Sequence, residues 1–160
     1  MATAEGRGVE STVGTPRESL VKYAEGIGLE VEDYAVSGKS VEDIFEELVA
    51  SKLWAPTFVY DFPEDTSPLT RYHRSRPGLT EKWDLYVRGC ESATAYSELA
   101  DPVVQRERFA AQALAAANGA PAAMVLDDDF LVALEQGFPP SGGLGMGRDR
   151  PPMVLPGPAP

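Results

Sequence analysis

Trp83-Asp84-Leu85-Tyr86-Val87-Arg88-Gly89-Cys90-Glu91-Ser92-Ala93-Thr94-Ala95-Tyr96-Ser97-Glu98 is the stretch from which the fold is read. Trp83, Leu85 and Val87 alternate with Asp84, Tyr86 and Arg88, the period-two pattern of a half-buried strand. Gly89 marks a hairpin turn, and residues 91–98 read as the returning strand. Upstream, Thr57-Phe58-Val59-Tyr60 is a short strand after Pro56, followed by a polar loop over 61–80. Downstream, Asp101-Pro102 opens an alanine-rich helix that ends near Asn118-Gly119. A second, short helix over about 127–136 begins on Asp127-Asp128-Asp129, where acidic residues suit the helix dipole, and stops at Gly137.

The N-terminal part is helical. Thr15 reads as an N-cap with Pro16 at the first helical position, which puts Leu20, Ala24 and Ile27 on one face before Gly28 closes the helix. Ser40 begins a second helix with Asp43 as its capping partner, and Val41, Ile44, Phe45, Leu48 and Val49 recur at helical spacing. The order helices, antiparallel strands, helices, glycine-rich strand predicts an α+β fold with helices packed on an antiparallel sheet. Residues 1–14 and the proline-rich stretch 151–160 are expected to be disordered, leaving 15–150 as the folded domain.

Composition narrows the chemistry. The chain has 160 residues, 43% of them hydrophobic, enough for one core. Asp plus Glu is 25 against 14 Lys plus Arg, a net charge of -11, which excludes a basic nucleic-acid-binding surface over the chain as a whole. No apolar run is long enough to span a membrane, and the first residues lack the apolar core of a secretory signal. One cysteine, Cys90, and one histidine, His73, make neither an internal disulfide nor a Cys/His zinc site. A metal would therefore be held by oxygen.

Three constellations carry chemistry. Gly143, Gly145 and Gly147 alternate, so an extended backbone would offer a flat ring or a phosphate a face without side chains, with Arg148 and Arg150 following. Asp84 and Glu91 flank the hairpin turn and, if they meet across the ladder, offer Mg²⁺ two hard oxygen ligands. Thr94, Tyr96 and Glu98 share a face at period two, and a hydroxyl, a ring and a carboxylate suit an alkyl-ammonium ligand. Strict alternation puts Glu91 on the opposite face from Glu98, so a bulge between them is required if one pocket uses both. In isolation the ordinary strand face or glycine loop is the better reading of each. His73 reads as a surface histidine without an identifiable catalytic partner.

Together, Pro56-Thr57-Phe58, Ser67-Pro68-Leu69, His73-Arg74-Ser75, Pro77-Gly78-Leu79-Thr80-Glu81, Ala95-Tyr96-Ser97-Glu98-Leu99, Asp101-Pro102, Gln105-Arg106 and Gly142-Gly143-Leu144-Gly145-Met146-Gly147-Arg148-Asp149-Arg150 stand in one order. In this order they resemble the C-terminal part of the catalytic domain of class II lysyl-tRNA synthetases. The actinobacterial variant is the best match, including the synthetase-like half of lysyl-phosphatidylglycerol synthases. The resemblance implies part of the class II antiparallel sheet, and ATP- and Mg²⁺-dependent activation of L-lysine for transfer to tRNA by a cytoplasmic enzyme. It assigns Asp84, commonly Glu in the family, and Glu91 to the metal, and Glu91 with Ser92 to ATP. It assigns Thr94, commonly Asn, together with Tyr96 and Glu98 to lysine, with Glu98 on the side-chain ammonium. Gly143, Gly145 and Gly147 would lie under adenine, and Arg150 would meet the ATP phosphates as the catalytic arginine. The matched region starts downstream of the family's motifs 1 and 2 and of its anticodon-binding domain, so a homo-oligomer or a second chain is expected to complete the site. Two further readings are a ligase joining an amino acid to a protein or metabolite, and a non-catalytic lysine-binding regulator.

Overall fold

The computed structural model describes residues 14–32, 35–118 and 126–147. Among them are four helices, α1 (Arg17–Gly26), α2 (Ser37–Leu48), α3 (Pro102–Ala117) and α4 (Asp128–Glu135). Four strands, β1 (Thr57–Pro63), β2 (Leu79–Val87), β3 (Cys90–Ser97) and β4 (Gly142–Met146), form one antiparallel sheet in the order β1-β2-β3-β4. This is the α+β layout expected from the sequence. No helix among the described residues is long and apolar enough to cross a membrane.

Helix boundaries follow from how the first-turn amides are satisfied. Asp101 caps α3, its carboxylate accepting from the Val103 and Val104 amides. Asp127 caps α4 through Phe130 N–H at 2.9 Å. The other two starts differ from expectation. α1 begins at Arg17, one residue later than expected, with Pro16 at the N-cap position. α2 begins at Ser37, three residues before the expected Ser40, because its cap comes from a distant loop: Gly38 N–H donates to Asp65 Oδ2 at 3.1 Å. Glycine is needed there, since a Cβ at 38 would overlap Asp65 Oδ1 and stand 2.6 Å from Pro63 Cβ. α1 and α2 meet through Leu20, Ala24 and Ile44, with Val41, Leu48 and Tyr23 around them.

The segment expected as a loop over 61–80 is more ordered than its polarity implies. β1 runs on to Pro63, and isolated bridges pair Thr70 with Glu98 and Tyr72 with Thr80. α3 fastens this segment from behind. Buried Arg108 donates to Ser67 O at 2.8 Å and to Thr70 O at 2.5 Å, and Gln105 donates to Pro68 O at 3.0 Å. Leu99 N–H then donates to Leu69 O at 3.0 Å, so the clamped segment continues the sheet beyond the end of β3.

The phase of the β2 alternation is inverted relative to ordinary patterning. Asp84 and Tyr86 are the deeply buried positions, at 3% and 6% exposure, and Thr80 is fully buried. Trp83, Leu85 and Val87 are only partly covered. Their face also carries the exposed side chains Phe58, Tyr60, Leu144 and Met146. Phe58 packs edge-on to Trp83 at 5.0 Å, and on the opposite face Phe45 of α2 packs edge-on to Tyr86 at 5.7 Å. The polar face is thus the covered one, and the apolar face is the open one.

Candidate functional site

The hairpin turn and one bulge build the site. Arg88 and Gly89 both have positive φ, 53° and 74°, as a two-residue turn of the I′ kind requires. A side chain at 89 would meet Ser51 O at 2.9 Å, so glycine also answers a close approach. Past the turn, Tyr86 pairs with Glu91 but Leu85 pairs with Ala93, which leaves Ser92 as an extra residue in β3. This is the bulge that parity required. Ser92 is buried there, its hydroxyl donating to Cys90 O at 3.2 Å.

The register then sets one row of side chains on one face. Tyr86 stands opposite Glu91, Asp84 opposite Thr94, and Lys82 opposite Tyr96. On the far side Thr94 stands opposite Gly145 and Tyr96 opposite Gly143. The hairpin and the glycine strand are therefore direct neighbours. Asp84 and Glu91 do not pair directly; each faces a residue of the other strand one step along the row. Glu98, just past β3, continues the row, and its carboxylate lies over Gly143. Glu98 also lines an open groove of about 1050 Å³ with Arg71, Val104, Phe138 and Ser141. Arg150, and Arg148 with it, lies outside the described residues. Gly147 follows β4, its N–H donating to Ser92 O at 3.2 Å.

Burial gives these groups unusual electrostatics. Desolvation holds the Glu98 carboxyl above the ordinary carboxylate range. Desolvation, with the Glu98 charge, raises the Tyr96 phenol. The Tyr86 phenol is pushed well up, first by burial and then by Asp84, Glu91, Glu46 and Glu42 around it. Two buried oxygens of the row, Asp84 Oδ1 and Thr94 Oγ1, have no hydrogen-bond partner. An orphaned buried carboxylate oxygen is costly unless a ligand completes it, and a hard cation is such a ligand. Among the described residues no three His, Cys, Asp or Glu side chains form a complete metal cage. Asp84 Oδ1 is thus the one hard oxygen of the pair shown open to a cation such as Mg²⁺, which fills its other positions with water or phosphate oxygens.

Sequence reasoning missed Lys82. Its ammonium stands 3.2 Å from Asp84 Oδ2 and 4.0 Å from the centroid of the Phe62 ring. The signal was present, because a residue two before Asp84 in a strand shares its face. His73, read as a surface histidine, is partly covered. It is the centre of a loop cluster, its Nε2 3.5 Å from Asp61 Oδ1, with Arg76 at 2.7 Å on the other oxygen. Ser75 Oγ approaches Nδ1 at 3.5 Å, which has the outline of a nucleophile triad. Nδ1, however, accepts the Ser75 and Arg76 amides at 3.1 Å each, so it has no lone pair left to deprotonate a serine. The cluster holds Asp61 in its left-handed conformation, φ 65°, at the β1 bulge.

Comparison with known proteins identifies the family. Residues 14–158 match the family model of class II tRNA synthetases (D, K and N). A lysine--tRNA ligase of Mycolicibacterium gilvum (strain PYR-GCK) is 57% identical over 156 residues, covering 96% of this chain and 31% of that protein. One from Kineococcus radiotolerans is 56% identical, covering 94% of this chain and 30% of that protein. The lysylphosphatidylglycerol biosynthesis bifunctional protein LysX of Mycobacterium avium (strain 104) is 48% identical over 98% of this chain and 13% of its own length. The chain thus spans under a third of the length of these relatives, and it belongs to the class II tRNA synthetase family of the D, K and N group.

Proposed function

We propose that this chain forms the nucleotide- and lysine-binding half of a lysine-activating site, which joins L-lysine to ATP as lysyl-adenylate for transfer to an acceptor. The observation that carries the reading is the single row Glu91, Asp84, Thr94, Gly145, Tyr96, Gly143 and Glu98, in which anionic, aromatic and side-chain-free positions are neighbours. Glu98 would hold the substrate ammonium, with the Tyr96 ring along its stem and Thr94 near its carboxylate. Asp84 and Glu91 would hold Mg²⁺, which when bound neutralises phosphate charge. Gly145 and Gly147 would leave room for the purine, Glu91 and Ser92 would meet ATP, and Arg150 would complete the phosphate site. The reaction is an in-line attack of the lysine carboxylate on the α-phosphorus with pyrophosphate leaving. It asks for positioning and charge neutralisation rather than a general base.

The acceptor is tRNA in the relatives named lysine--tRNA ligase. A cytoplasmic location follows from this reading. The open apolar face with Phe58, Tyr60, Leu144 and Met146 lies on the side of the sheet away from this row and supports a second copy or a second chain packed there. Lysine-dependent ATP–pyrophosphate exchange by the full chain tests the proposal. Exchange abolished by Glu98→Gln supports it, lysine binding without exchange supports a regulatory protein, and absence of lysine binding refutes both.

A further inference from the structure

We propose that Gly143 is a specificity-determining position: the space left by its missing side chain houses the Glu98 carboxylate and so fixes the anion that selects a substrate ammonium. The inference rests on the lysine-pocket reading above and deepens it.

Three observations carry it. First, a Cβ at 143 would overlap Glu98 Oε1, stand 3.2 Å from Glu98 Cδ and 3.7 Å from Tyr96 Cε2. The other β4 glycines are different. A Cβ at 145 would make ordinary contact with Thr94 Cγ2 at 3.6 Å, and one at 142 would approach only Tyr96 O at 3.9 Å. Second, Gly143 is not among the glycines with positive φ, which are Gly28, Gly78, Gly89 and Gly137. Backbone conformation therefore does not demand glycine at 143; what a side chain there would displace is the end of the flexible Glu98 side chain. Third, the Glu98 backbone is tied on both sides, its N–H donating to Ser141 O at 3.0 Å and its bridge pairing it with Thr70. A methyl group at 143 would leave Glu98 only side-chain rotation as an escape, and the carboxylate would swing away from the Tyr96 ring. The glycines of β4 thus divide their work: Gly143 serves the amino-acid end of the site, and Gly145 keeps an open face.

The test is calorimetric titration of the full chain with L-lysine and with L-norleucine, which has the same four-carbon stem without the ammonium. Gly143→Ala is expected to weaken lysine binding by about tenfold or more while changing norleucine binding less than about twofold. Glu98→Asp, one methylene shorter, withdraws the carboxylate from the added methyl, so Gly143→Ala/Glu98→Asp is expected to bind lysine more tightly than Gly143→Ala alone. Lysine affinity unchanged by Gly143→Ala, or lost equally for both ligands, overturns the assignment. So does loss of the cooperative thermal transition in both the single and the double variant, which would make Gly143 a packing residue. Glu98→Gln separates the two levels. If it leaves lysine affinity unchanged, or the wild-type chain binds no lysine, the pocket reading itself falls. If it abolishes lysine binding while Gly143→Ala does not, only the role of Gly143 falls.

Discussion

Arg108→Met isolates the clamp on which Glu98 depends. The buried guanidinium donates to two carbonyls, Ser67 O at 2.8 Å and Thr70 O at 2.5 Å, and lies 4.1 Å from the centroid of the Tyr72 ring. Hydrogen bonds from a charged donor contribute about 1.5–3 kcal/mol each, and the ring contact about 0.5–1. Against this stands the cost of a buried guanidinium whose Nη2 has no partner, which methionine removes. Methionine preserves the apolar stem but removes the donor of Thr70 O and leaves Ser67 O with only the Thr70 amide at 3.2 Å. The net expectation is a loss of about 2–4 kcal/mol. For a chain of this size that lowers the melting temperature by about 4–16 °C. Because Thr70 bridges Glu98, lysine affinity should fall with stability, at temperatures where the variant is still folded. Calorimetry and urea denaturation read the first effect, and lysine titration reads the second. A stability loss under about 1 kcal/mol would refute the reasoning, since two charge-assisted hydrogen bonds would then be lost, and Thr70 O orphaned, at almost no cost.

Three further outcomes are expected. The Glu98 carboxyl is held above the ordinary carboxylate range by burial, and only its ionised form attracts an ammonium. Lysine affinity should therefore decline on acidification before an ordinary glutamate would protonate; a decline centred at or below the usual value of 4.5 contradicts this. Gly38→Ala should destabilise the fold by about 1–3 kcal/mol in chemical denaturation, although alanine is the better helix former by about 1, because the methyl group overlaps Asp65 and crowds Pro63. A stabilised variant would show that the Asp65 cap moves freely. The Glu42 carboxyl is raised by burial, opposed by the hydroxyl of Thr66 at 2.6 Å. A raised carboxyl favours its neutral form in the folded state, so this group's stabilising contribution is present below its unfolded value and lost as pH rises through the folded one. Glu42→Gln should flatten that part of the stability–pH curve, and an unaltered curve would rule the group out.

The hairpin was legible because its signals are local. Gly89 takes a left-handed turn, and parity made an extra residue between Glu91 and Glu98 the condition for one pocket to use both; the register places that residue at Ser92. The starts of α3 and α4 were legible for the same reason, and there Asp101 and Asp127 accept from amides within three residues. The start of α2 was not, because its amide is satisfied by Asp65, 27 residues away.

By itself the sequence determined the α+β class, the antiparallel hairpin and the family resemblance, since turn chemistry, periodicity and motif order are properties of neighbouring residues. Only the tertiary structure decided which face of β2 is buried, that Lys82 stands on Asp84, that Arg108 clamps the segment bridging Glu98, and that the space above Gly143 belongs to a carboxylate. Those facts depend on which elements pack together, and burial is set by the partner surface rather than by the hydropathy of the strand that is covered.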